Sequence, residues 1–248
     1  MARKVNYLFP NLINSTNVSE WNRAYNNYSV IASVNNSAIT GNDPKERLIR
    51  DAKMSQLALG HTPNLSAWSV QALASKIRNV FSLSGSDEDV IYNFMSNEFF
   101  IWKYGFSNHI CDSNLNKFSK TFENDKPTLL KVFNDIFTNA VKSRLQNSRD
   151  KYSLIYTTAS GLCGVSFSGA SALLSLIFPD YIGTCDSVLL EQYNLNKGTN
   201  YDLNNRDKLF IAIIEDYMAD QAATLNKLSN SNFWTPRKID QAVWANRI

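Results

Sequence analysis

The chain is poor in residues that hold metal ions or form disulfides. Among its 248 residues are three cysteines, Cys111, Cys163 and Cys185, and two histidines, His61 and His109. Three cysteines cannot complete a set of disulfides, and neither their spacing nor the histidines fit a zinc site. We therefore expect no structural metal and no cofactor.

Long apolar runs are missing as well. Even the apolar stretch 171–178 is too short to cross a bilayer and is typical of a helix in a protein core. Residues 1–10 include basic side chains but neither the apolar region nor the cleavage site of a secretory signal. We expect a protein of the reducing cytoplasm that has no membrane partner.

The overall composition is that of a soluble globular protein. Hydrophobic residues make up 44% of the chain and charged residues 19%. The formal net charge of +3 is mildly basic, so it permits binding to nucleic acid without arguing strongly for it.

Sustained alternation of apolar and polar residues, the pattern of strands, is absent from the sequence. Apolar residues instead recur at helical intervals, and Pro127 and the pair Thr235-Pro236 stand where helices would begin. The sequence therefore predicts an all-α chain, with helices over about 18–31, 44–59, 66–81, 87–104, 127–144 and 205–228, and from 236 onward.

The most informative stretch runs from Gly161 to Ala172. Small residues there separate two short apolar patterns of helical period, so we expect a helix, a tight hairpin and a second helix. Gly164 and Ser166 fall at the turn, where glycine tolerates a positive φ. The second helix would begin with unpaired N–H groups, which form a ready site for a phosphate.

The sequence Leu162-Cys163-Gly164-Val165-Ser166, with Ala170, resembles the helix-hairpin-helix of the HhH-GPD superfamily of DNA glycosylases, whose usual form is L-P-G-V-G-x-K-x-A. Asp186 follows Ser168 at the family's spacing between its lysine and its essential aspartate, 186 − 168 = 18 residues. The chain departs from the pattern at Cys163, which replaces proline, at Ser166, which replaces glycine, and at Ser168, which replaces the lysine of bifunctional members. It also lacks the four-cysteine iron-sulfur loop of some members.

The resemblance implies a two-lobed, all-α fold with a cleft between the lobes. Residues 87–178 would form a central lobe ending in the hairpin at 152–178, and residues 1–86 with 179–248 would form the second lobe. It implies a monomer that acts on double-stranded DNA by flipping out a damaged or modified base and hydrolysing its N-glycosidic bond, in repair or in defence against modified viral DNA. Because Ser168 cannot form a Schiff base, we expect an enzyme without lyase activity.

Asp186 is the candidate catalytic residue. Positive charge develops on the deoxyribose as the glycosidic bond breaks, and a nearby carboxylate would stabilise that charge. The alternative interpretation is that Asp186 only caps the helix starting at Ser187.

Two further sets of residues complete the predicted site. The backbone groups of Gly164, Val165, Ser166 and Ser168 are candidate phosphate contacts, although such a turn also occurs as a plain corner between helices. The candidate base pocket is formed by aromatic residues that more often belong to a core; they are Trp102, Tyr104 and Tyr156. The alternative function is noncatalytic DNA binding by the hairpin. A further interpretation is an unrelated helical interaction protein, in which the spacing between Ser168 and Asp186 would be a coincidence.

Overall fold

A computed structural model of the chain describes residues 6–33, 88–104, 108–205 and 207–246. No β-strand occurs in these ranges, and the helical prediction is confirmed for them. A 3-10 turn, Leu12–Asn14, precedes the first helix, and a π-helical turn, Met95–Phe99, joins the second to the third. The helices are α1 Val18–Ser33, α2 Glu88–Phe94, α3 Phe100–Tyr104, α4 Asn108–Phe122, α5 Lys126–Ser143, α6 Ser148–Gly161, α7 Phe167–Ile177, α8 Ser187–Lys197, α9 Phe210–Ser229 and α10 Pro236–Ala245.

Two helices predicted from the sequence, over 44–59 and 66–81, lie outside the described residues. Among the residues that are described, no helix combines the length and the apolar character needed to cross a bilayer.

Two predicted helix starts are confirmed by their caps. The Asp125 carboxylate accepts a hydrogen bond from the N–H of Thr128, and a proline occupies the first turn of α5. Thr235 caps α10 by accepting from the N–H of Lys238, again with a proline in the first turn. Proline suits this position because the first N–H groups of a helix have no partner within it.

The predicted start of α9 at residue 205 is wrong, because the helix begins at Phe210. The preceding residues form turns instead. The N–H of Asn204 donates to the Asp202 carboxylate, 2.8 Å away, and the N–H of Leu209 donates to that of Asp207, 2.9 Å away. Short acidic side chains favour such local hydrogen bonds over a helical backbone.

Helix α4 was not among the predicted helices. It is rich in polar residues, but its apolar side chains recur at helical spacing. Cys111, Phe118 and Phe122 are buried, and Leu115 packs against the core. The helix therefore presents one narrow apolar stripe to the protein interior.

The two ends of the described chain pack together. Asn246 accepts from the N–H of Phe9 at 2.9 Å and donates to the carbonyl of Phe9 at 2.9 Å. Helix α1 packs along α10, and Trp21 meets Trp234 edge to face. These contacts lie within the predicted second lobe, whose boundaries remain a prediction.

The central helices form a connected layer. Helix α6 packs against α5, α7 and α9, and α2 packs against α5. Helix α7 is the most deeply buried element, since all residues from Gly169 to Ile177 are inaccessible to solvent or nearly so. It therefore fixes the position of the hairpin at its first turn.

Candidate active site

The hairpin between α6 and α7 has the predicted order of helix, turn and helix. Gly164 adopts a φ of +83°, the left-handed conformation that the sequence predicts there. The turn also lies tightly against α4. A Cβ atom added to Gly164 would lie 2.2 Å from the carbonyl oxygen of Asn114, so this position excludes every other residue type without movement of the backbone.

Ser166 begins the second helix of the hairpin. Its Oγ accepts from the N–H of Gly169 at 3.2 Å and lies 3.3 Å from the hydroxyl of Tyr104. A Cβ atom on Gly169 would lie 2.1 Å from that same hydroxyl. Glycine at 169 therefore lets α3 approach the start of α7 closely.

Three of the four predicted phosphate contacts have free backbone donors. The N–H groups of Gly164, Ser166 and Ser168 make no hydrogen bond within the described part of the chain. Val165 differs, because its N–H already donates to the carbonyl of Leu162 at 3.0 Å and its side chain is buried. The Val165 N–H is therefore not available to a phosphate.

A buried serine connects the hairpin to the loop that carries Asp186. The Ser171 Oγ accepts from the N–H of Cys185 at 3.0 Å, and its hydroxyl lies 3.1 Å from the carbonyl of Ser168. Ser171 thus joins the first turn of α7 to the residue before Asp186. The phosphate-binding candidates and the candidate carboxylate are held in one rigid unit.

Charged side chains from α9 and α10 fix the same loop from behind. The N–H of Gly183 donates to Glu215 Oε2 at 3.1 Å, and the N–H of Thr184 donates to Asp240 Oδ2 at 2.6 Å. Arg237 pairs with Asp240 at 2.9 Å and also donates to the Thr184 hydroxyl, 2.5 Å away. All these charged groups are buried, so the loop has little freedom to move.

Asp186 caps helix α8, and the cap uses only one of its oxygens. Oδ1 accepts from the N–H groups of Val188 at 3.0 Å and Leu189 at 3.1 Å. Oδ2 instead faces Lys103, whose Nζ lies 3.9 Å away. Asp186 therefore does cap α8, as the alternative interpretation expects, and the cap leaves Oδ2 uninvolved.

Lys103 lies beside the candidate carboxylate, a position that the sequence does not predict. It comes from α3, far from the hairpin in the chain, and its side chain is 12% exposed against 23% for Asp186. Burial lowers the pKa of Lys103, although the neighbouring Asp186 opposes that change by raising it. The sequence around Lys103 does not predict this ion pair with Asp186, because the pair forms only when α3 packs against the Asp186 loop.

The candidate base-pocket aromatics lie in different surroundings. Tyr104 is buried behind the hairpin. Trp102 is half-buried, and its ring lies 5.7 Å from the guanidinium carbon of Arg237. Tyr156 is 52% exposed on α6, with its ring 6.0 Å from that of Phe167. The three side chains therefore have different partners, and Trp102 adjoins Arg237, one of the charged groups that hold the Asp186 loop.

Open grooves occur elsewhere on the molecule. One, of about 440 Å³, is lined by residues such as Asn14, Tyr193 and Tyr217. Another, of about 360 Å³, includes Lys142 and Asp150. Neither is lined by Asp186. In the described ranges no three Cys, His, Asp or Glu side chains come together as a metal site.

The buried carboxyls should make stability depend on pH. Burial raises the pKa of Glu215 to about 8, opposed by the hydrogen bond from Gly183, and burial raises the pKa of Asp240 to about 6, opposed by Arg237. As pH rises above the ordinary carboxyl pKa, the unfolded state loses these protons first, so the free energy of unfolding falls until the folded-state pKa is passed.

We expect the melting temperature to fall between pH 5 and pH 8, and to fall less in Glu215→Gln. The fall in melting temperature should be several degrees larger in wild type than in Glu215→Gln, because about 1 kcal/mol of unfolding free energy corresponds to roughly 2–4 °C in a domain of this size. Scanning calorimetry across the range tests this. Glu191→Gln, at an exposed position on α8, is the matched control and should keep the wild-type slope. Equal slopes for Glu215→Gln and wild type would contradict the prediction.

Comparison of the chain with protein families, with curated proteins and with solved structures gives no match.

Proposed function

We propose that the protein is a DNA glycosylase that removes a damaged or modified base from double-stranded DNA and leaves an abasic site. One observation carries the proposal. Ser171 joins the start of α7, with its free N–H donors, to the loop bearing Asp186. A phosphate at the hairpin and a sugar at the carboxylate would then belong to the same short piece of DNA backbone.

In this proposal the hairpin positions the DNA. The N–H groups of Gly164, Ser166 and Ser168 would donate to phosphate oxygens, and the positive end of the α7 dipole would favour that contact. Contacts to phosphate oxygens do not distinguish one DNA base sequence from another. They would hold one nucleotide in place while its base leaves the stack.

Asp186 would then act on the sugar. Oδ1 is held by two N–H groups, so the carboxylate is oriented before DNA arrives. Oδ2 would stabilise the positive charge that develops as the glycosidic bond breaks and would orient or deprotonate the attacking water. Limited exposure lowers the local dielectric constant and strengthens this stabilisation.

The cellular setting proposed is the one that the sequence indicates, a cytoplasmic monomer acting in repair or in defence against modified viral DNA. The expectation of base removal without strand cleavage rested on Ser168.

The experiment is to incubate the protein with duplexes carrying different damaged bases and with modified phage DNAs. Alkali then cuts at abasic sites, and free base is identified by mass spectrometry. Release of one base class supports the proposal. A second candidate, noncatalytic DNA binding by the hairpin, is favoured by the capping role of Asp186, and binding without release on every substrate would support it.

A charge placed at the start of α7 should weaken DNA binding. Ser168→Glu would repel a phosphate there, although it suits the helix dipole and should leave the fold stable. We expect affinity for a short duplex to fall on the order of tenfold, about 1.4 kcal/mol, in a fluorescence titration at low salt. Ser19→Glu, in the first turn of α1, makes the same charge change at an exposed site and should have no effect. Equal weakening by both variants would reject the hairpin as the contact.

A further inference from the structure

A groove lies between α8 and α9 and is bordered by the 3-10 turn at Leu12–Asn14. Its volume of about 440 Å³ is in the range of small-molecule sites. Neither the hairpin nor Asp186 lines this α8–α9 groove. Its chemistry is therefore independent of the proposed base removal.

Two carboxylates on α9 face the α8–α9 groove. Asp216 and Asp220 both line it, and neither carboxylate makes an ion pair or accepts a hydrogen bond within the described part of the chain. Residues four apart in a helix lie on the same face, with Cβ atoms about 5–6 Å apart. The groove therefore presents two negative charges that are one helical turn apart.

The amide side chains of the groove add acceptors rather than donors. Asn14 Nδ2 donates to the carbonyl of Asn196 at 3.0 Å, and Gln221 Nε2 donates to the carbonyl of Ser15 at 2.9 Å. The side-chain oxygens of these two lining residues accept no hydrogen bond in the described ranges. An ammonium group, which has three donors and no acceptor, matches such a set of oxygens.

A buried hydroxyl without a partner indicates a ligand independently of the carboxylates. Tyr193 lines the groove and is 8% exposed, and its hydroxyl makes no hydrogen bond within the described part of the chain. The ring is held in place, because it stacks on Tyr201 and meets Tyr217 edge to face. Buried polar groups normally have a partner. Since so little of Tyr193 is accessible, a slender group such as the end of an alkyl chain suits it best.

An aromatic face of the groove already attracts a cation. Lys197 Nζ lies 5.9 Å from the centroid of the Tyr217 ring, within the range of a cation–π contact. Lys197 is exposed at the end of α8 and makes no ion pair among the described residues. One amine against two carboxylates leaves the lining with one excess negative charge, which favours a further cation.

We propose that the α8–α9 groove binds a linear aliphatic polyamine. Its ammonium groups donate to Asp216, Asp220 and the amide oxygens, and a chain of four methylenes between two ammonium groups spans about one helical turn. The thin chain lets one ammonium end reach the Tyr193 hydroxyl. A metal ion fits less well, because no three Cys, His, Asp or Glu side chains come together in the described ranges. A folded protein surface is too broad to reach a hydroxyl so nearly enclosed.

The test is isothermal titration calorimetry of the full chain at low salt, with 1,4-diaminobutane and with spermidine. We expect saturable binding to one site. The diamine should bind about tenfold more tightly than 1-aminobutane, because the monoamine makes charge-assisted contacts at one end only. Magnesium chloride at the same concentration should not displace the diamine. No saturable binding, equal affinity for the monoamine, or displacement by magnesium overturns the proposal.

A capped trilysine peptide distinguishes a polyamine from a basic protein segment. It carries the same charge as spermidine but has a peptide backbone that does not fit against Tyr193. Spermidine should therefore bind more tightly than the peptide. Tighter binding of the peptide would assign the groove to a protein partner and would overturn the proposal.

Conservative variants test the named groups. Asp216→Asn and Asp220→Asn keep the size of each side chain, and each should weaken diamine binding about tenfold. Tyr193→Phe keeps the ring and should weaken binding on the order of tenfold through loss of the hydroxyl. Lys197→Met removes the competing cation and should strengthen binding several-fold. Asp135→Asn makes the same charge change at an exposed position on α5 and should leave affinity unchanged.

A merely acidic surface would respond differently. If total charge alone governed binding, Asp135→Asn would weaken it as much as Asp216→Asn does, and Tyr193→Phe would have no effect. Either result overturns the proposal. Asp216 and Asp220 are exposed, so their variants should melt within a few degrees of wild type, and a loss of affinity then reports the contact rather than the fold.

Discussion

Replacing Asp186 with asparagine should abolish base release without unfolding the protein. Asparagine caps helices as well as aspartate does, so its side-chain oxygen can still accept from Val188 and Leu189. It carries no negative charge to stabilise the cationic sugar. Losing one preorganised electrostatic group of this kind typically costs on the order of 100-fold or more in rate. The measurement is the yield of alkali-sensitive sites against time on the best substrate of the panel.

A second capping aspartate provides the control. Asp125 caps α5 through the N–H of Thr128, and Asp125→Asn makes the same chemical change away from the hairpin. Its rate of base release should match wild type. Asp186→Ala should lose the cap as well as the charge, which would lower stability by about 1 kcal/mol. Wild-type base release by Asp186→Asn would remove Asp186 from the mechanism.

Gly164→Ala should cause the largest loss of stability among single changes in the hairpin. The residue has a φ of +83°, and its added Cβ would lie 2.2 Å from the Asn114 carbonyl oxygen. Backbone strain of about 1–3 kcal/mol and overpacking of about 1–3 kcal/mol together predict a loss of roughly 2–6 kcal/mol. Urea denaturation followed by circular dichroism measures this loss.

Gly198→Ala separates strain from overpacking. Gly198 ends α8 with a φ of +66°, but no atom lies within 4 Å of its added Cβ. This variant should show the cost of strain alone, about 1–3 kcal/mol. Equal losses for the two glycines would mean that α4 moves away from the hairpin without cost, and the close contact at Asn114 would then not be a constraint on the turn.

Local signals made much of the described fold predictable. Pro127 lies in the first turn of α5, and Thr235 caps the start of α10, as their residue types predict. Gly164 has the positive φ expected of a glycine in a tight turn. The start of α9 was misjudged because the acidic side chains of Asp202 and Asp207 form turns that compete with the helix. Helix propensity alone therefore does not show whether these residues form turns or a helix.

The candidate site was predictable only in part. Asp186 could be found because it lies at a fixed distance along the chain from the hairpin. Lys103 could not, since its only relation to Asp186 is spatial and arises from the packing of α3. The same holds for Glu215 and Asp240, which reach the Asp186 loop from helices much later in the sequence. Their burial depends on the whole fold.

The π-helical turn Met95–Phe99 sets the rotation of everything that follows it in α3. A π turn holds one residue more than an α turn, and such insertions commonly occur at functional sites. Since successive residues of a helix are about 100° apart, one residue fewer here would rotate Lys103 away from Asp186 and Tyr104 away from Gly169. The extra residue of the π turn thus determines which side chains of α3 face Asp186 and Gly169.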